Sequence, residues 1–292
     1  MRNGLTITMV FEATSANYGE GFSNITQMKM MTRGDYKEYP YISRQALRYN
    51  MIEQLHWNNT PIDDKGVVQF APDASIKDYP EIDLFGYMKT AKKTDENGNT
   101  LKRNAVVRLS HAIGLEPYKG DMDYLTNMGL SSRGKGLNNS IAVSEIQRSF
   151  YTYTISIDLD LIGVDANDNT NLSSEEKTKR VCDFLNTVEF LYRDIKGRRE
   201  NLAPVFAIGG IYERKNPFFM NSISLDAKKL KLDGIMDLLK IDEIKSYTKA
   251  GLAHGAFENE SEIESKLSCV SIHEFFQDLQ KDVKEYYEGN QN

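Results

Sequence analysis

The sequence predicts an α+β fold: a ferredoxin-like (RRM-like) palm carrying large insertions. Three observations predict it. The stretches "LTITMVFE" (5–12) and "FYTYTISIDLDL" (150–161) alternate apolar and polar side chains as half-buried strands do. Two helical stretches each open on a serine cap, Ser43 and Ser173. Taken in order, the periodic segments run strand–helix–strand–strand–helix–strand, the skeleton of the ferredoxin-like arrangement.

Each element follows from local pattern. After the first strand, a polar loop containing Gly and Met runs to Pro40, which closes it. Such length between a strand and a helix is typical of functional loops. The helix at 43–57 places Arg44, Arg48, Ile52 and Leu55 in one stripe, with Leu47 and Met51 beside it. "DLFGYM" (83–88) reads as a short strand, "NGN" (97–99) as a turn, and "RNAVVRLSHAIGL" (103–115) as a strand passing into a loop. Residues 116–147 include "GLSSRGKGLNNS" and read as a flexible protrusion. The strand at 149–163 sets Tyr151, Tyr153, Ile155, Ile157 and Leu159 on one face, and alternation assigns Asp158 and Asp160 to a solvated face. Ser173 and Glu176 form a capping box for a helix over about 174–194, with Val181, Leu185, Val188 and Leu191 as its core stripe. "IKGRREN" (195–201) is a basic turn, "LAPVFAIGGIYE" (202–213) a further strand, and 226–247 and 271–287 have helical patterns. The chain is thus one elaborated domain, 1–292, with insertions at about 58–102 and 116–147 and a C-terminal helical part at about 226–292.

Composition narrows the function classes. At 292 residues, 40% hydrophobic and 27% charged, the chain can bury a sizeable core and has the balance of a soluble protein. It has no apolar run of membrane-spanning length and no signal-peptide pattern. Cys182 and Cys269 lack motif spacing, which fits a reducing cytoplasm, and the four histidines show no metal-ligand pattern. The net charge of −6 is misleading about nucleic acid, because residues 258–292 hold nine acids and three lysines and account for all of it. The rest is neutral overall, with basic clusters that a local RNA groove could use.

No nucleotide-binding glycine loop, nucleophile elbow or zinc-protease motif is present. "IGG" (208–210) reads as strand packing, and His111, alone after a strand, as a hydrogen-bonded structural residue or a general base. The first turn of the helix at 43–57 is different. Arg44 and Arg48 sit where the macrodipole is positive and oppose it unless an anion lies nearby. They either meet a phosphate, or simply reach solvent or pair with Asp35 or Glu38 just upstream. Further cations, Lys29, Arg33, Lys102, Arg103, Arg108, Lys196, Arg198 and Arg199, fit one strand of phosphates tracked across a surface. No recognition helix of a DNA-binding regulator stands out.

The order "NYGEGFSN…YISRQALR…DLFGYM…RLSHAIGL…FYTYTISIDLDLIG" resembles the "Cas seven" backbone subunits of the CRISPR-associated Cascade complex, in particular the DevR-like type I-B branch. The resemblance covers residues 4 to about 225. It implies a guide-RNA-binding protein without catalytic activity or cofactor. Ser43, Arg44, Gln45 and Arg48 correspond to that family's phosphate-binding helix signature, and Asn17, Gly19 and Gly21 to its loop after the first strand. Lys29, Arg108, His111, Arg198 and Arg199 are further RNA-contact candidates. Residues 116–147 correspond to its thumb, with apolar Met122, Leu125, Met128 and Leu130 beside Arg133 and Lys135. The resemblance also implies the partners: copies of the chain in a helical filament on one guide RNA, other Cascade subunits, and target DNA paired with the guide. Related type III subunits cut target RNA with a loop aspartate, and Asp35 lies in a loop of that kind. The DNA-targeting resemblance implies that it is non-catalytic, the alternative being a metal-dependent RNA-cleaving subunit that uses it.

Overall fold

A computed structural model describes residues 2–14, 17–19, 21, 25–64, 66–90, 100–134 and 139–289. The predicted skeleton is present: β1 (Gly4–Ala13), α1 (Arg44–Leu55), β2 (Val107–Leu109 and Ala112–Gly114), β3 (Ser149–Asp158), α2 (Ser174–Glu189) and β4 (Phe206–Tyr212). In the sheet these strands lie in the order β4-β1-β3-β2, the ferredoxin-like order. Strand Glu38–Ile42 and then Met30–Thr32 extend the β2 edge, while Lys249–Leu252 and Val270–Ser271 extend the β4 edge.

Register explains the core. Leu5, Ile7, Met9 and Phe11 lie opposite Ile157, Ile155, Tyr153 and Tyr151. Period-2 alternation puts all eight on one face, and all are buried against Leu47 and Met51 of α1 and Val181, Phe184, Leu185 and Val188 of α2. A third helix on this face, α3 (Ile272–Gly289), adds Phe275, Phe276, Leu279, Val283 and Tyr287. Its Tyr287 hydroxyl donates to Leu159 O at 2.7 Å. On the opposite face Val10, Phe150, Phe206 and Ile208 pack with Phe219, Ile223, Ile235, Phe257 and Ile263 of the C-terminal part. Residues 208–210 are indeed packing: a Cβ on Gly209 would lie 2.0 Å from Thr6 O of β1.

Several local expectations need correction. "DLFGYM" is a helix Pro80–Phe85 followed by a strand Tyr87–Thr90, because Pro80 starts a helical turn and Gly86, at φ 73, ends it. Pro40 lies inside strand Glu38–Ile42 rather than closing a loop, and the loop itself contains an antiparallel pair with Met30–Thr32. The α2 stretch stops at Glu189, and "IKGRREN" belongs to a hairpin of Tyr192–Ile195 and Arg198–Asn201. The 226–247 pattern resolves into a turn at Ala227 (φ 51) and two short helices, Asp233–Leu238 and Asp242–Lys245. Asp158 is 5% exposed and paired with Arg108, since β3 ends against that side chain and not in water.

The 58–102 insertion has a small core of Ala74, Ile76, Ile82 and Tyr87. A buried ion cluster anchors it to the palm. Asp83, fully buried, accepts from Arg103 Nη2 at 2.8 Å, Arg180 Nη1 at 2.9 Å and Gly163 N at 2.9 Å. Arg103 therefore belongs to the interior, with its side chain only 7% exposed, and adds nothing to a basic surface.

Candidate nucleic-acid interface

Helix α1 begins where the sequence places it, and its end is closed by the protein's own groups. Ser43 Oγ accepts from Ala46 N at 3.3 Å and from Asn17 Nδ2 at 3.1 Å. The Arg44 N–H donates to His111 Nδ1 at 3.0 Å, and Leu47 N to Ser43 O at 3.1 Å. Capping thus takes most of the donors that an anion would otherwise use. The exposed guanidinium of Arg44 remains, with no protein partner among the described residues.

The two arginines of the first turn differ. Arg48 pairs with neither Asp35 nor Glu38: its Nη2 reaches Glu81 Oε1 at 3.0 Å, and its guanidinium stacks 4.7 Å from the Phe85 ring centroid. Glu81 also accepts from Thr60. Arg44, Gln45, Arg48 and Arg108 together line one groove of about 490 Å³, with Phe85, Asn104 and Ala105 as its other wall. Arg108 holds Asp158 at 2.8 Å yet stays half exposed, so it keeps donors free for a ligand. A second recess of about 470 Å³ lies on the other side of Arg44, between Ser110, His111, Thr152 and Thr154 of the palm and Asn221 of the C-terminal part. Glu81, Asn104, Thr152 and Asn221 carry no sequence signal, because their role comes only from long-range packing.

The loop after β1 is brought to the start of α1, where Asn17 bonds Ser43. Residues 17–19 pair with 27–29 through Gly19 N to Gln27 O and Lys29 N to Asn17 O. Gly21 is required as glycine, since a Cβ there would lie 2.3 Å from Ile25 O. The segment read as a thumb is a hairpin of Asp121–Thr126 and Ile141–Ile146 joined through a short helix Met128–Ser131, and Ile141–Ile146 also pairs with Ile25–Thr26. Met122, Leu125, Met128 and Leu130 are 40–69% exposed, and Arg133 is exposed; Lys135 lies outside the described residues. At the thumb base the buried Gln147 accepts from Lys119 N and donates to Pro117 O. Met28 N donates to Glu145 Oε2 at 2.8 Å, which ties the thumb to the loop.

The remaining candidates stand apart from the groove. Arg199 is engaged by both oxygens of Asp194, and Arg198 is exposed on the same hairpin. Asp35 sits in the turn before Glu38–Ile42, accepting from Tyr39 OH at 2.7 Å and Lys37 N at 3.2 Å. The Tyr39 hydrogen bond holds its carboxyl below the usual carboxylate range. Among the described residues no three His, Cys, Asp or Glu side chains converge as metal ligands, and no helix is long and apolar enough to cross a membrane.

No curated protein matches this sequence. The chain is similar to a solved chain of a "CRISPR RNA-guided surveillance complex, pre-nicking", with a TM-score of 0.60 at 10% identity, covering 94% of this chain and 100% of that one. It is also similar to one of a "CRISPR RNA-guided surveillance complex", with a TM-score of 0.56 at 14% identity, covering 97% and 99%. At such identities the likeness is one of fold. The sequence itself matches, over residues 5–229, the family described as "CRISPR-associated negative auto-regulator DevR/Csa2". The chain belongs to the CRISPR-associated DevR/Csa2 family.

Proposed function

We propose that this protein is the guide-RNA-binding backbone subunit of a type I, DevR-like I-B, CRISPR surveillance complex. Copies of it assemble along one guide and present it for pairing with target DNA, alongside other subunits of the complex. The observation that carries this reading is the unpaired Arg44 guanidinium, in one groove with Gln45, Arg48 and Arg108. An exposed cation opposing a helix dipole gains a partner when phosphate arrives. Phosphate contacts hold any sequence alike, as a carrier of variable guides requires. The exposed apolar residues of the thumb supply wedge-like contacts suited to a neighbour's RNA.

In this reading the subunit breaks no bond. Asp35 is taken up by Tyr39 and Lys37 in a local turn, which supports a structural role over the RNA-cutting one. The test is direct: purified protein is analysed for bound RNA, then mixed with single-stranded RNA and a divalent metal. Bound RNA of regular length without cleavage is expected. Cutting at regular intervals that Asp35→Ala abolishes would replace this reading with the RNA-cleaving one.

A further inference from the structure

We propose that His111 is a positioning and selectivity residue of the groove, a neutral imidazole held as the Nε2–H tautomer. It seats the first residue of α1 and offers the ligand a donor only. The inference rests on the RNA-binding reading and names the ligand atom that this part of the site accepts, a phosphate oxygen.

The tautomer follows from geometry. A backbone N–H can only donate, so Nδ1, 3.0 Å from Arg44 N, carries a lone pair and the proton resides on Nε2. The ring is fixed from two sides. Tyr41 meets it edge-on at 5.3 Å between centroids. The strand break beside it is locked to β3: Ser110 N donates to Thr154 O, and Thr154 N donates to Ser110 Oγ, each at 2.9 Å. The imidazole therefore does for the first helical N–H what an anion would do, and leaves the anion to the side chains. Nε2–H has no protein partner among the described residues, and His111 shares the 470 Å³ recess with Arg33 and Arg44. Two cations and a fixed donor form a complement to a phosphate oxygen, and the imidazole itself offers no acceptor to a ligand's own hydroxyl or amine.

Two substitutions separate the roles, because they keep different halves of the ring. In His111→Asn the amide oxygen falls where Nδ1 was and keeps the cap. In His111→Gln the amide nitrogen reaches toward the Nε2 position and keeps the donor. The full chain is labelled with ¹⁵N-histidine, and the His111 signals are assigned by their loss in the Asn variant. The Nε2–H pattern is expected in the free protein, with the Nε2 signal moving when a single-stranded oligoribonucleotide is added. His111→Asn should melt like the parent protein and bind that RNA about tenfold more weakly. His111→Gln should melt about 2–4 °C lower and bind more tightly than the Asn variant. An Nδ1–H pattern, or stability and binding falling together in both variants, would overturn the proposal. RNA binding untouched by Arg44→Ala would instead defeat the RNA reading and leave the tautomer result standing.

Discussion

A cation in the first turn of a helix opposes the macrodipole by roughly 0.3–1 kcal/mol, so the two arginines of α1 should respond differently to removal. The Arg44 guanidinium has no protein partner among the described residues. Arg44→Ala is expected to leave stability unchanged or slightly raised, and to flatten the log–log salt dependence of RNA binding by about one unit. Arg48 already spends its charge on Glu81 and its plane on Phe85. Arg48→Ala should therefore cost about 0.5–1 kcal/mol of stability, given a side chain one-third exposed, and change the salt slope less. Urea melts beside salt titrations decide it, and the reverse pattern would move the phosphate contact from Arg44 to Arg48. Asp83 poses the larger stability question. It is fully buried between Arg103 and Arg180, and removing one member of a buried ion cluster strands the others. Asp83→Ala is expected to cost about 3–5 kcal/mol in a denaturant melt; a loss under about 1 kcal/mol would mean that this cluster does not hold the insertion to the palm.

Elements differ in how legible they are, and the reason is the range of the interactions that define them. Ser43 and Ser173 cap the helices they precede, because capping is decided within three residues. The apolar face of β3 was legible because both of its neighbours in the sheet share one buried layer. Asp158 was not, since its partner Arg108 lies fifty residues away and alternation knows only inside and outside. Likewise Arg103 reads as surface charge until Asp83 is folded against it, and Glu81 claims Arg48 across thirty-three residues. The segment read as a thumb was visible as composition, and its hairpin geometry predicts that it can be removed. Its two strands pair mainly with each other, and Gln147 clamps the base from the palm side. Replacing residues 120–140 by a short Gly-Ser linker should leave the melting temperature within a few degrees, since shortening a loop changes closure entropy little. The same variant should fail to form long regular assemblies on guide RNA, as sizing of the complex would show. An unfolded variant would place the hairpin in the core, and full assembly would show that it is not a thumb.

At the scale of the molecule, an isoelectric point near 5.4 sits beside a proposed RNA groove, and the placement of α3 reconciles the two. Its apolar stripe is buried on the palm, so Asp278, Glu285 and Glu288 face water. The helix packs on α2 and the β4 side of the sheet, whereas the groove lies at α1 and β2. The acids act on RNA only through the long-range field, and this decays over a Debye length of about 8 Å at physiological ionic strength. The salt slope, in contrast, counts phosphates neutralised by direct contact. Replacing Asp278, Glu285 and Glu288 by Asn, Gln and Gln should therefore raise RNA affinity modestly at low salt. The gain should vanish at physiological salt and above, while the slope stays that of the parent protein to within about half a unit. Stability should hold, because exposed positions away from caps and cores tolerate substitution to within about 0.5 kcal/mol. Fluorescence titrations over a range of salt concentrations check this. A slope that steepens by a full unit or more would place RNA on the α3 face itself, and the groove at Arg44 would then be only part of its path.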